Sequence, residues 1–433
     1  MLPYFSVITK DCRKHVKIGN KVTKHYLIIT HAFPPKGGGG VQRIVKFAKY
    51  IQTYGWKATV VCPTSNNYTW IDPARLEEVE NINVIRIPMD EMKKGIWNKI
   101  KRKLQPIDPF LAWSKDVVRE LLSTDLSTFE LVFTSGPPHS VHHVGRKISS
   151  AKNLAWVADF RDHFTLGPEY KPATIFHKWY NHAFEGSIYE EANAIITNTE
   201  LNKVDILNTF QVKGLKDKVH TIYNGYDEDD LRNHPITISW NKDKMHLLYL
   251  GGLRGDHIDG VFYTTIAHAL SKVPWLKDKI RIHIIGDISR KGNLIETLGL
   301  TEVFVFESSV PYNQVGAYLE KADAGITWQR DRKAYRGTIA GKFFDYIGKE
   351  LPIFSLGQED GEIATILRTH KIGRSASPSN LDIASDTFIE FCEGLSNKKY
   401  HYTTVTIKTL ELKFSRKNQA AELNRIFNQI IQD

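Results

Sequence analysis

Short apolar runs of strand length recur along the chain, and between them lie stretches whose apolar positions fall three or four residues apart. HYLIIT (25–30) is the first run. From Val41 onward, Ile44, Val45, Ala48 and Ile51 repeat at the spacing of one helix face until Gly55 ends the segment. ATVVC (58–62) reads as a second strand, so the chain opens as strand, loop, helix, strand. NVIRI (83–87), ELVFT (130–134), AWVAD (155–159) and AIITN (194–198) continue the series, with helices or loops between them. Strands alternating with helices in this way predict a mostly parallel sheet covered on both faces.

The pattern then starts again. HLLYL (246–250), IRIHIIG (280–286), VFVFE (303–307), AGITW (324–328) and LPIFS (351–355) form a second series, each run followed by a helical segment. Periodicity is lost between, around 228–240. Two α/β domains are therefore expected, with a default ligand site in the cleft where their strand ends face each other. The last segment, 417–433, places Ala421, Leu423, Ile426, Phe427 and Ile430 near one helix face, able to pack on either domain.

Composition narrows the partners. The chain has 433 residues and 42% hydrophobic content, enough for two cores, and a net charge of +10 that suits a phosphorylated ligand, a membrane surface or nucleic acid. Nucleic acid is the poorest of these, because no recognisable binding module is present. Cys12, Cys62 and Cys392 are scattered, with neither CxxC pairing nor zinc spacing, so no disulfide or metal site is expected and a reducing cytosol fits. No cleavable leader and no apolar stretch long enough to span a bilayer is visible. The stretch 91–113 is strongly basic, with Ile96, Trp97, Ile100 and Leu104 interleaved. It reads either as a peripheral contact with an anionic membrane or as a solvated helix with one packed face.

Several strand ends carry chemistry. HAFPPKGGGGVQR (31–43) puts Gly37, Gly38, Gly39 and Gly40 before a helix, where backbone can approach an anion, or simply form a flexible loop. TSGPPHSVHH (134–143) sets Ser135 and His139 at one edge; its three histidines lack a completed ligand set, and His139 is expected to line a cleft instead. WVADFRDHF (156–164) places Asp159, Arg161 and Asp162 past a buried strand, where they either line a polar cleft or hold loops by ion pairs. YLGGLRGDH (249–257) repeats the glycine loop in the second series, with Gly252 and then Arg254, a guanidinium suited to clamping phosphate unless it merely faces solvent. Asp287 ends IIGD, and the acidic run DEDD (227–230) reads as a solvated cap at the linker rather than a metal motif. In YRGTIAGKFFDYIGKELPIF (335–354), small residues at Gly337, Thr338 and Gly341 open a helix carrying Lys342 and Asp345.

The order of these pieces resembles the family 4 retaining glycosyltransferases of the GT-B fold, especially the branch that builds bacterial surface polysaccharides. The resemblance rests on FPPKGGGG, TSGPPHS, WVADFRD, EEANAIITNT (190–199), IYNGYD (222–227), LYLGGLRG and GKFFDYIGKELPI (341–353), and spans most of residues 25–430. It implies an α/β fold of two Rossmann-like domains facing each other across a cleft. Residues 1–228 would form the acceptor domain and 229–416 the nucleotide-sugar donor domain, with the helix 417–433 crossing back to the first.

The resemblance also implies roles. The helix after 337–341 points its N-terminus at the donor diphosphate, Asp345 stands where the second Glu of the family's E-x7-E motif binds ribose hydroxyls, and Pro352 keeps the matching distance. The first Glu of that motif falls at Gly337, so the usual contact to the donor sugar is missing or comes from elsewhere. The phosphate-binding Arg and Lys are half visible: Arg254 is shifted by two positions, and Lys342 or Arg336 takes the second place. Gly252 and Thr338 complete the donor set. The acceptor hydroxyl enters near Gly38, Gly39, Gly40, Ser135, His139 and Asp162, with Asp162, His139, Arg161, Arg254 and Lys342 as the catalytic groups. Partners are then a nucleoside-diphosphate sugar and a glycan or lipid-linked acceptor, with no cofactor, no metal and no nucleic acid, in the cytoplasm or at the inner face of the plasma membrane. An epimerase of the same fold and a non-catalytic nucleotide-sugar binding subunit are the alternatives.

Overall fold

The computed structural model describes residues 23–65, 68, 71–89, 104–232, 236–253, 260–288 and 293–432. Thirteen strands are described. β1 (Lys24–Thr30), β2 (Trp56–Pro63), β3 (Asn83–Ile87), β4 (Leu131–Gly136), β5 (Ala155–Phe160), β6 (Ala194–Thr197) and β7 (Val219–Thr221) form one sheet in the order β3-β2-β1-β4-β5-β6-β7. β8 (Met245–Leu250), β9 (Ile280–Ile285), β10 (Phe304–Glu307), β11 (Ala324–Trp328), β12 (Ile353–Leu356) and β13 (Gly373–Ala376) form a second, in the order β10-β9-β8-β11-β12-β13. All five ladders of the second sheet are parallel. The two-domain α/β architecture expected from the sequence is the one observed.

The α-helices of seven or more residues among those described are α1 (Gly39–Tyr50), α2 (Leu111–Ser123), α3 (Val141–Lys152), α4 (Ile175–Glu191), α5 (Glu200–Thr209) and α6 (Val261–Lys272). They continue with α7 (Val315–Lys321), α8 (Gly341–Gly348), α9 (Glu362–His370), α10 (Leu381–Ser396), α11 (Thr404–Phe414) and α12 (Arg416–Ile430). No helix among the described residues is long and apolar enough to cross a membrane.

Strand parity explains the near-continuous apolar runs. In β8, Leu247 and Tyr249 join one core with Ile282, Ile284 and Ile326, while Leu248 and Leu250 join another with Ile285, Phe343 and Tyr346. A strand buried on both faces has no solvent side on which to place polar residues. β7 and β13 were not expected from the sequence. Each is a short edge strand, VHT and GRSA, with a single apolar residue, Val219 and Ala376, so neither leaves an apolar run to read.

Each sheet reverses its strand order beside its first strand. β1 lies between β2 and β4, and β8 between β9 and β11, parallel to both neighbours in each case. Such reversals open a crevice beyond the carboxyl ends of the strands, because the connections leave in opposite directions there. The glycine loops 37–40 and 251–252 both begin at these points.

The chain divides into two compact units: residues through Asp159 with 191–194 and 423–433, and residues 160–190 with 195–422. Within the first, the end of α12 supplies a fully buried Phe427, whose ring lies 5.1 Å from both Tyr26 and Trp56. Asn424 Oδ1 accepts from Trp56 Nε1 at 3.0 Å, and Asn428 Oδ1 from Lys24 Nζ at 2.9 Å.

Candidate functional site

At the end of β1, Gly38 takes φ 99°, a left-handed conformation that favours glycine, and serves as N-cap of α1. Gly39 and Gly40 are exposed, and a methyl group on Gly39 would touch nothing. This helix start is open. The start of α3 is not: Asp108 Oδ2 accepts from the Ser140 N–H at 2.7 Å, and burial raises the Asp108 pKa. A carboxylate from the chain itself therefore occupies the anion position beside His139, which is buried.

Ser135 and Asp159 belong to the interior of the first unit. Ser135 Oγ donates to Asp159 Oδ2 at 2.7 Å, and Arg43 Nη2 to Asp159 Oδ1 at 2.7 Å, with Arg43 and Asp159 almost wholly buried. Of the two readings open for Asp159, the structure shows the ion pair: it ties the ends of β4 and β5 to α1. His142 is likewise structural, its Nδ1 2.8 Å from Thr134 Oγ1, which also accepts from Trp156 Nε1. Among the described residues, no group of His, Cys, Asp or Glu gathers as a metal site.

In the second unit, Arg161 is buried and Asp162 exposed at the head of a loop that Glu185 fastens to α4. Glu185, fully buried and with its pKa raised by burial, accepts from the Thr165 N–H at 3.0 Å and from the Tyr189 hydroxyl at 2.7 Å. His163 lies 3.6 Å from Asp205, which also pairs with Arg336. Burial alone would raise the Asp205 pKa, but His163 and Arg336 outweigh it and hold the carboxyl below its usual range. Tyr335 adds a hydroxyl bond of 2.6 Å to Glu169. Arg336 is thus committed to a carboxylate.

Lys342 is placed differently. The β8 and β9 ends stay in register past the strands, with Gly251 N–H donating to Ile285 O at 2.7 Å and Leu253 N–H to Asp287 O at 2.9 Å. A Cβ on Gly252 would lie 2.9 Å from that of Asp287, so only glycine fits this approach. Above it, in the first turn of α8, the half-buried Lys342 holds its ammonium 3.1 Å from the centre of the Tyr249 ring, and burial lowers its pKa well below the ordinary value. No carboxylate among the described residues forms an ion pair with it. Gly341, at the head of α8, is exposed with open space at its Cβ position, and no side chain caps the helix. A loop backbone, a helix N-terminus and an unneutralised amine converge on one anion-sized problem. Arg254 lies outside the described residues, as do residues 91–103 of the basic stretch.

Asp345, one turn further, is buried. Burial raises its pKa to about 7; the Tyr312 hydroxyl, donating at 3.3 Å, and Arg416 oppose the rise, and Asp230 adds to it. Thr338 is half-buried, its N–H donating to Tyr335 O at 2.8 Å. Gly337 is close-packed: Thr199 Oγ1 donates to its carbonyl at 3.0 Å, and a Cβ there would sit 2.0 Å from Asn202 Oδ1. Next to it, Glu362 accepts from the Leu201 N–H at 3.1 Å and from the Tyr223 hydroxyl, capping the start of α5. The acidic run at 227–230 forms a turn in which Asp227 Oδ1 accepts from the Asp229 N–H at 2.9 Å.

Cavities of about 480 and 220 Å³ among the described residues of the second unit lie along β13 and beside Trp328 and Phe262. Neither is lined by a candidate site residue singled out from the sequence, although the smaller lies at the carboxyl ends of β11 and β12.

No family model and no curated protein matches the sequence. Solved structures do match its shape. A glycosyltransferase from Rickettsia africae superposes with a TM-score of 0.65 at 15% identity, over 95% of this chain and 99% of that one. WaaG, a glycosyltransferase involved in lipopolysaccharide biosynthesis, gives 0.56 at 13%, over 94% and 98%. A structure of TarM from S. aureus containing UDP gives 0.62 at 11%, over 94% and 100%. The fold is that of the GT-B glycosyltransferases. At these identities the likeness concerns fold, and the chemistry must be argued from the chain's own residues.

Sequence reasoning placed Lys342, Gly252 and Asp345 on one helix and the strand end it meets. It missed Asp108, Glu185, Asp205 and Glu362. These four carboxylates cap or pair with groups distant in sequence, and nothing in their immediate neighbourhoods marks them.

Proposed function

We propose that the protein is a retaining glycosyltransferase that moves a sugar from a nucleoside-diphosphate donor to a hydroxyl of a lipid-linked glycan acceptor. One observation carries the reading: Lys342 at the head of α8, lacking a carboxylate partner among the described residues and set against the glycine-lined end of β8. The donor diphosphate would lie there, met by the helix N-terminus, the Lys342 ammonium and, from the sequence, Arg254. These groups offset the charge that develops on the leaving phosphate as the anomeric bond breaks. Burial depresses the Lys342 pKa, and a bound diphosphate would raise it again. Asp345 would receive ribose hydroxyls, and the acceptor hydroxyl would attack from the face the leaving group departs. No metal has a part in this scheme.

The comparisons support the reading in kind, since TarM is seen with UDP and WaaG is named for lipopolysaccharide synthesis. Surface-polysaccharide assembly at the inner face of the plasma membrane is the corresponding setting. A second reading draws on Gly337, where no carboxylate can stand: a subunit that binds a nucleotide sugar without transferring it.

Calorimetric titration with UDP, GDP and their sugar conjugates, without added metal, tests the donor site. One nucleotide should bind, and Lys342→Met should weaken it about tenfold or more, because a hydrogen bond to a charged group is lost. Equal binding by the variant removes Lys342 from the site. Binding without hydrolysis or transfer to any glycan supports the second reading.

A further inference from the structure

We propose that the N-terminal half of α4 docks on an anionic lipid surface. Ile175, Phe176, Trp179 and Tyr180 are 71%, 78%, 71% and 44% exposed, a concentration of bare apolar surface within two helical turns. They fall at i, i+1, i+4 and i+5, on one side of the helix. Asn181, Phe184, Glu185, Ile188 and Tyr189 are buried and anchor its later turns, so the exposed face belongs to a helix held in place by its other end. Patches of this kind on soluble proteins mark contact with another phase or partner.

Composition selects the occupant. Residues 171–184, KPATIFHKWYNHAF, contain no acid and carry Lys171, Lys178, His177 and His182 among the apolar side chains. Trp and Tyr prefer the boundary between headgroups and hydrocarbon, and lysine stems reach from that depth to the phosphates. Protein interfaces are depleted in lysine, and a second copy would set Lys171 and Lys178 against their own charge. The chain's net charge of +10 adds attraction to a negative leaflet. The inference gives a lipid-linked acceptor a physical approach but does not depend on sugar transfer, since vesicle and nucleotide binding are read separately.

Flotation of the full chain with vesicles of phosphatidylcholine alone, or of an equimolar mixture with phosphatidylglycerol, tests it. The wild type should float with the mixed vesicles only. Phe176→Glu with Trp179→Glu should weaken flotation about tenfold or more, the loss of two interfacial anchors, while Phe176→Leu with Trp179→Phe retains it. UDP binding and the melting profile should be the same in all three proteins. Lys171→Ser with Lys178→Ser, which leaves the apolar face untouched, should also reduce flotation. Failure of the wild type to float, or equal flotation by the glutamate and wild-type proteins, overturns the proposal. So does a wild-type dimer that the glutamate pair separates without any change at vesicles, which would assign the face to a second copy.

Discussion

Replacing Gly337 with alanine should destabilise the fold through one contact. The new Cβ would lie 2.0 Å from Asn202 Oδ1, a separation that must grow by about 1 Å before the two atoms reach the closest approach real side chains show. Asn202 cannot yield freely. It is buried, its Nδ2 donates to Asn198 Oδ1 at 2.7 Å, and its own N–H donates to the Thr199 hydroxyl that holds the Gly337 carbonyl. Overpacking of this kind costs roughly 1–3 kcal/mol, and a broken buried hydrogen bond adds about 1 kcal/mol. Urea unfolding of Gly337→Ala should therefore show a loss of about 2–4 kcal/mol. Asn202→Ala removes the obstacle, so in that background the alanine at 337 should cost less than about 1 kcal/mol, leaving a large coupling in the double-mutant cycle. A Gly337→Ala protein within about 0.3 kcal/mol of wild type, or one that loses as much with Asn202 truncated, would refute the steric argument. Gly337→Glu should fare worse than alanine and gain no donor affinity.

Three other substitutions test two buried carboxyls. Asp345 titrates at about 7 in the folded chain against 3.8 in the open one, so its contribution is fully present below pH 3.8 and is lost as pH rises through 7. The span corresponds to roughly 4 kcal/mol at most, and Asp345→Asn should be more stable than wild type above pH 7 and show a flatter profile by urea midpoint on either side of it; a parallel profile contradicts the assignment. Asp159→Asn leaves Arg43 charged and buried, and should cost about 3–5 kcal/mol, while Ser135→Ala, losing one bond to a charged group, should cost about 1.5–3 kcal/mol. Equal, small losses at both positions would mean that the pair is solvated and free to serve a ligand.

How much the sequence revealed follows from how far each interaction reaches along it. The strands β1 to β6 and β8 to β12 were legible because each carries a run of apolar residues in place, even the half-buried edge strands β3 and β10, and β7 (VHT) and β13 (GRSA) were not, because each holds only one. The charge at Asp159 was visible, but its partner Arg43 lies 116 residues away, so the choice between cleft and ion pair could not be made locally. Lys342 and Asp345 were legible as a helix start, yet only packing shows that one meets Tyr249 while the other turns toward Tyr312. Gly337 is the most instructive case. From the sequence it is a missing carboxylate; in the fold its carbonyl and its Cβ position are taken by Thr199 and Asn202, which begin the helix after EEANAIITNT. Two motifs that look independent along the chain are one packing unit, so the absence of the acid and the presence of Asn202 are sterically a single choice. Under the proposed function, the contact to the donor sugar therefore comes from a residue outside that pair.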